Sequence, residues 1–448
     1  MVTPEVLVER LNRGVRKRNA RWTFVREQAF GEALTLRRFR LGNGLTLLTL
    51  IDRTAPTVSY HTWFRVGSRH ERPGKTGLAH LFEHLMFGAT RNRPLGEFDR
   101  LMERAGAEAN AATWTDWTFY YENAPRSALP LLIDLEADRM ANLVLRTPQV
   151  GSEKEVVANE RKLRVEDDVE GKAVELLYSN AFRRHPYQWP TIGRMEDIRG
   201  FTVRDCRSFY RAHYAPNNAT IVIAGDFDER RALSLVQKSY GNLPRARRPA
   251  EQARAREPAQ RTERVVILAA PTPTPKLLVG YHAPPFFHRH TAALVVANEV
   301  LFGGRSSRLH RLLCVDKEIA LSVRGSISPF VDPGLYEMWI AVRDGARIDS
   351  ALTLLDKEIT RLGSRGPTQR ELEKAINQLE LSFLHTMETA GGKAEQIGFH
   401  ETVMNDGAAV FDRLASYRAV RSEDVKRAVS KYLRASRRTR VEIVPRSS

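Results

Sequence analysis

Cysteine is scarce in this chain: 448 residues carry only Cys206 and Cys314. A disulfide framework and a cysteine-based zinc finger are excluded, and two scattered thiols fit a reducing compartment. No run of about 18 apolar residues occurs, which rules out a transmembrane helix. The opening Met1-Val2-Thr3-Pro4-Glu5 is not followed by the apolar stretch of a secretory signal. Arg10 to Arg26 is rich in arginine, but Glu5 and Glu9 are foreign to transit peptides, which are poor in acids. The segment reads as a solvated N-terminal helix and extension. These absences set the expectation of a cytoplasmic protein, or a periplasmic one if a signal segment has been removed.

Acidic residues are the minority charge, 53 against 70 Lys and Arg, for a formal net charge of +17. The basic residues are spread along the chain, and their densest cluster, Arg245 to Arg256, lies in a Pro/Ala-rich stretch. No nucleic-acid-binding module appears, so nucleic acid is not the expected partner. The excess suits an acidic partner or acidic peptides.

With 42% hydrophobic and 27% charged residues, the composition is that of a globular protein. The length allows about two to four domains. Gly42-Asn43-Gly44 reads as a turn feeding a strand over Leu45–Leu50, and Val58–Phe64 alternates as the next strand. Helices are expected over Leu78–Phe87, Leu95–Arg104, Leu129–Leu145 and Thr147–Val165, the last opened by Thr147-Pro148. Strands are expected over Thr113–Glu122, rich in Thr, Trp and Tyr, and Thr220–Gly225. Residues 244–261 form the best linker, Pro-, Ala- and Arg-rich without apolar periodicity. The second half repeats the order of the first: strands at Val265–Leu268 and Lys276–Tyr281, a helix at Thr291–Phe302, a strand-rich stretch over Ala320–Val342, then helices at Asp349–Leu362 and Thr368–Leu384. The expected architecture is α+β: two similar domains, 30–243 and 262–445, each a mostly antiparallel sheet packed with helices, related by internal duplication.

One constellation carries chemistry. Gly77 to Phe87 contains His80-Leu81-Phe82-Glu83-His84. On a helix, His80 and His84 project from one face a turn apart, and two imidazoles so placed can bind one divalent ion such as zinc. Glu83 can reach a metal-bound water without being a ligand. The order is the inverse of His-Glu-x-x-His and belongs to the zinc-peptidase motifs. Two His and a Glu among Leu, Ala, Phe and Met would be costly to bury without partners.

A catalytic zinc wants a third protein ligand and an open fourth position. The helix after Pro148 carries Glu153, Glu155 and Glu160; Glu153 and Glu160 are seven apart and share a face, while Glu155 points elsewhere. Spacing alone does not choose between Glu153, Glu155, Glu160 and Glu166.

Gly77–Gly88, with an acidic helix some eighty residues later, resembles the pitrilysin family of zinc peptidases, which includes insulin-degrading enzyme and the mitochondrial processing peptidase. Gly106-Ala107-Glu108-Ala109-Asn110-Ala111-Ala112-Thr113 resembles the family's Gly-Ala-x-x-Asn-Ala-x-Thr. Tyr214–Thr220 before Gly225-Asp226-Phe227 resembles its Tyr-x-Pro-x-Asn segment, and Gly303–Leu309 its Gly-Gly-x-x-Ser-Ser-Arg-Leu in the second domain. The match spans about residues 35 to 440. The resemblance implies a Zn2+ enzyme cutting peptides, with His80 and His84 as ligands, Glu83 as general base and Glu160 as third ligand. It implies Glu153 as a supporting carboxylate and places Asn110 in a segment lining the substrate cleft. The second domain would carry no metal.

The chain departs from the family in that second domain. Active single-chain members carry an Arg and, seven residues on, a Tyr that hold the substrate carbonyl. Here Cys314 and Leu321 occupy those positions, and neither is a strong donor to an oxyanion. The resemblance then implies a heterodimer in which a homologous partner subunit supplies the Arg and Tyr. Alternatives are a homodimer, with Arg308 or Arg311 substituting, and a non-catalytic scaffold subunit of the same fold.

Overall fold

The computed structural model describes residues 3–247 and 256–446. Of the expected linker, residues 248–255 lie outside the described residues. The chain divides into two compact units, one of Met1–Ala158, Thr191–Ala253 and Thr386–Asp412, the other of Asn159–Pro190, Arg254–His385 and Arg413–Ser448.

The first unit is built on strands β1 (Trp22–Phe30), β2 (Leu34–Leu41), β3 (Thr46–Ile51), β4 (Thr57–Phe64), β5 (Glu108–Thr113), β6 (Thr118–Pro125) and β7 (Ala219–Gly225). They form a seven-stranded sheet in the order β1-β2-β3-β7-β4-β6-β5. Only β3 and β7 run parallel; every other neighbouring pair is antiparallel. Every residue of β7 is buried, which its unbroken Ile221-Val222-Ile223-Ala224 run requires of a strand covered on both faces. One face carries Tyr60 and Thr62, which reach Tyr240 (hydroxyl to hydroxyl, 2.8 Å) and Glu136 (2.9 Å) on the helices Glu229–Tyr240 and Leu129–Asn142. The other face carries Trp63 stacked on Phe119, ring centroids 4.2 Å apart, beneath the helix Ala390–Met404.

The second unit holds β8 (Arg264–Ala270), β9 (Lys276–His282), β10 (Ala320–Ile327), β11 (Leu335–Val342) and β12 (Arg438–Pro445). The sheet order is β10-β11-β9-β12-β8, with only β12 and β8 parallel. Read against the first sheet, β8, β9, β10, β11 and β12 take the places of β3, β4, β5, β6 and β7, parallel pair included. The duplication is thus present in topology, with β1 and β2 as an extension of the first copy. Both units are mixed α+β.

Two helical segments cross a simple cut at residues 244–261. Ala390–Met404 packs on β4 and β7 of the first unit, and Val169–Ala181 packs on β9, β12 and β8 of the second. A glycine permits each approach. A Cβ on Gly398 would sit 2.0 Å from the Trp63 indole nitrogen, and one on Gly280 would sit 3.0 Å from Leu177. The first unit also begins before residue 30. The N-terminal helix is short, Pro4–Asn12, and β1, with Arg26 as its one arginine, forms the sheet edge. Thr113–Glu122 is not one strand but the hairpin of β5 and β6. Ala, Asn and Glu have low strand preference, and β5 exists through its pairing with β6. The helix at Thr147 is α-helical to Arg161 and continues as a π turn over Lys162–Glu166.

Gly398→Ala forces a methyl into the buried Trp63 edge. It is expected to cost about 1–3 kcal/mol, the usual penalty of overpacking a core, read as a lower midpoint in chemical denaturation.

Candidate metal centre

The helix Leu78–Leu85 buries Leu78, Ala79, Leu81, Phe82 and Leu85. That apolar back fixes which way its front faces: His80 is 8% exposed, while Glu83 and His84 are half-buried. The two imidazoles lie one turn apart with centroids 4.9 Å apart. The helix begins at Gly77, whose φ of +92° suits glycine. A Cβ there would also meet the Ile192 carbonyl at 2.4 Å. Just before it, Thr76 donates from its backbone nitrogen (3.0 Å) and hydroxyl (2.5 Å) to the buried Asp197 carboxylate.

The helix Thr147–Arg161 supplies the carboxylates. Val150 and Val157 are buried, and Lys154 donates to the carbonyls of Arg199 (2.7 Å) and Phe201 (3.0 Å). The division between the units passes through its last turn, so Glu160 is carried on a continuous helix rooted in the first unit. His80, His84 and Glu160 each offer a donor atom, all within 4.8 Å of one another, the one such metal-capable group among the described residues. Glu153, two turns earlier, places Oε2 3.6 Å from His84 Nδ1. Glu155 is exposed. Glu166, at the end of the π turn, lies 3.5 Å from the Arg161 guanidinium. Of the four carboxylates that spacing left open, the structure therefore brings Glu160 and Glu153 to the histidines. Glu160 also pairs with Arg164 at 3.0 Å.

Asn110 is exposed on β5, the outer strand of its sheet. Its side-chain oxygen accepts from the Ala111 backbone nitrogen at 2.8 Å.

Beneath the metal helix lies a polar core that no motif announced. Arg139, buried on the helix Leu129–Asn142, pairs with Glu136 and with Glu122 (3.0 Å). It stacks over the rings of Tyr120, Phe98 and Phe87. Two carboxylates share one guanidinium there, and burial together with the Glu136 charge pushes the Glu122 carboxyl well up. The Tyr120 hydroxyl lies 3.3 Å from the Phe82 carbonyl and 3.2 Å from the Tyr214 hydroxyl. Helical periodicity in Leu129–Leu145 marks Arg139 and Glu136 only as polar interruptions, so the network had no sequence signal of its own.

In the second unit, Leu321 is 54% exposed on β10 and Cys314 is half-buried. Arg308 is committed: its fork donates twice to Glu371 at 2.7 Å and once to the Gly366 carbonyl. Arg311 is exposed, 3.8 Å from Asp316.

Two models of one family match adjoining stretches: "Insulinase (Peptidase family M16)" over residues 47–194 and "Peptidase M16 inactive domain" over residues 200–379. The chain belongs to peptidase family M16. It is 28% identical over 412 residues to the zinc protease PqqE of Helicobacter pylori, covering 90% of this chain and 92% of that protein. It is 26% identical over 404 residues to the mitochondrial-processing peptidase subunit beta of Lentinula edodes, covering 88% and 86%. The crystal structure of a protease from Helicobacter pylori superposes with a TM-score of 0.87 at 26% identity, over 92% of this chain and 99% of that one. The M16 match over 47–194 contains the whole His80–Glu160 cluster. Two imidazoles and a carboxylate, the donor chemistry zinc takes in catalytic sites, fit such an ion.

Glu153 faces the ring nitrogen of His84 from outside the cluster. Partners so placed orient a ligand imidazole, and their loss typically costs about 10–100-fold in metal affinity or activity. Glu153→Gln is expected to fall in that range in a chelator-competition titration of zinc, with the folding midpoint little changed.

Proposed function

We propose that this chain is the zinc-bearing, catalytic subunit of an M16 endopeptidase or oligopeptidase. The observation that carries the reading is the convergence of His80, His84 and Glu160 within 4.8 Å, with Glu83 on the same helix between the two histidines. His80, His84 and Glu160 would hold the ion. When bound, zinc supplies a Lewis acid for the scissile carbonyl and brings a water's pKa toward 7. Glu83 accepts the proton of the attacking water and delivers it to the leaving amine. Glu153 keeps His84 in one tautomer and orientation. The outer edge of β5, which carries Asn110, is a sheet edge to which an extended peptide could add as a further strand.

Cys314 and Leu321 bring no donor to the carbonyl of the substrate. Missing one such donor typically costs about 10²–10³ in turnover. We assign that task to a homologous partner chain, and Arg308, held by Glu371, does not replace it. The Lentinula edodes relative is itself named as a subunit. The exposure of Arg311 favours one second reading, a homodimer in which this arginine crosses to the other copy's site.

The test is hydrolysis of a mixed fluorogenic peptide library by the zinc-loaded chain, with Glu83→Gln as the blank. The chain alone is expected to bind zinc and turn over weakly, and Glu83→Gln to keep the metal while losing nearly all turnover. Failure to bind zinc, or undiminished turnover by Glu83→Gln, would overturn the assignment. Adding a homologous chain that carries the Arg and Tyr is expected to raise turnover by about 10²–10³-fold. Full turnover by the chain alone, abolished in Arg311→Ala, would instead select the homodimer.

A further inference from the structure

The metal helix starts without a capping side chain. Its N-cap is Gly77, and the first turn of any helix presents backbone N–H groups with no partner inside the helix. Here the partner comes from Glu71. One carboxylate oxygen accepts from the Gly77 nitrogen at 2.8 Å and the other from the Ala79 nitrogen at 2.7 Å. The side chain is 4% exposed. Burial pushes its carboxyl up, while the donated N–H groups pull it down.

Two bonds to nitrogens two residues apart fix more than the height of the helix; they fix its rotation. Each residue advances the helix by about 100°, so small turns about the axis carry side chains far. Ala79 immediately precedes His80, and Glu83 and His84 follow on the next turn.

Glu71 is itself tied down at its other side. The short turn Ser68–His70 leads into it. Ser68 and Arg69 donate their backbone nitrogens to the carbonyls of Trp114 (3.2 Å) and Thr115 (2.9 Å). The Arg69 guanidinium pairs with Asp116 at 2.9 Å. Gly67 lies so close to this stretch that a Cβ would meet the Trp114 carbonyl at 2.3 Å. Trp114 to Asp116 form the turn that joins β5 to β6. Beside the Tyr120 hydroxyl on the Phe82 carbonyl, the buried Glu71 carboxylate therefore adds a second tie, through the Ser68–His70 turn, between the start of the metal helix and the hairpin whose outer strand is β5.

We propose that Glu71 is a positioning residue that sets the metal ligands in register with the β5 edge, and so sets the metal against a peptide lying on that edge. This rests on the zinc-peptidase reading above. Loss of its second oxygen would remove one directional restraint on the helix's rotation, loosening the imidazole pair and shifting the metal relative to the scissile bond.

The test uses the full chain, with its partner where turnover requires one, as wild type, Glu71→Gln and Glu71→Asp. Gly398→Ala serves as a destabilised control on the sheet face opposite the metal helix. Three readouts are compared: the visible spectrum of the cobalt(II)-loaded protein, zinc affinity by chelator competition, and kcat apart from KM. Folded Glu71→Gln is expected to show a shifted cobalt band, about 10–100-fold weaker zinc binding, and a lower kcat at nearly unchanged KM. Glu71→Asp, which keeps the charge, should recover part of the affinity. Gly398→Ala should lose stability with the wild-type cobalt band. Folded Glu71→Gln with wild-type spectrum and affinity would overturn the proposal while leaving the metal centre standing. If Glu71→Gln does not fold, the same two outcomes are read on Glu71→Asp. Wild type that binds no cobalt would overturn both readings at once.

Discussion

Two imidazoles and a carboxylate from helices eighty residues apart can meet only if each helix is stopped at one height and one rotation. That constraint organises the first unit. The motif helix is held from behind by its apolar face, with Phe82 among the rings of Phe209, Tyr210 and Tyr214, and by the Tyr120 hydroxyl on the Phe82 carbonyl. It is held at its start by Glu71 and by the Thr76–Asp197 pair. The acidic helix is held through Val150, Val157 and the two carbonyls that Lys154 caps. Packing alone leaves a helix some freedom to slide and turn. Directional bonds to buried carboxylates remove it, which is why charged groups stand where apolar ones would cost less to bury.

The duplication shows how much of this is fold and how much is site. The second unit repeats the strand order, the parallel pair and the helix between its second and third strands, yet Thr291–Phe302 carries Ala, Leu and Val in place of histidines. Its core is continuous, from Leu277 and Val279 through Leu294, Leu301 and Leu355. The second copy builds the same frame around that core with no such metal-capable group among its described residues. The metal cluster is a set of polar substitutions on a frame that does not need them, and their joint presence in one copy only is what points to chemistry.

Much of the frame was legible because periodicity is strong where burial is one-sided or complete. Thr291–Phe302, β4 and β7 appear within a residue of where pattern placed them. The misses share a cause. β5 consists of residues with little strand preference, and β1 of an arginine-containing edge; both exist through pairing with a neighbour, which no local window contains. The two crossing helices, Val169–Ala181 and Ala390–Met404, are chosen by the surface they cover rather than by their position in the chain. In the site, His80, Glu83 and His84 were legible because all three lie within five residues on one helix. Spacing alone did not choose Glu160 and Glu153 over Glu155 and Glu166; the choice came from the family resemblance. The structure brings those two to His80 and His84. Glu71 and Arg139 had no signal, because what each does depends on backbone atoms and rings brought from elsewhere.

The same contrast bears on the proposed arrangement, in which this chain would hold the metal and a partner chain the carbonyl donors. In that reading the three ligands would depend on one another: removing any one leaves the other two facing an incomplete site. The Arg and Tyr positions carry no such coupling. Leu321 stands exposed on an outer strand, so its replacement disturbs no core, while Cys314, seven residues earlier, is half-buried against the second unit's core. A function held by exposed, uncoupled positions can pass to another chain without a folding penalty, whereas one held by a mutually dependent cluster cannot be divided. Division of labour between two related subunits would then fall along this line, with the metal and its base on one chain and the carbonyl donors on the other.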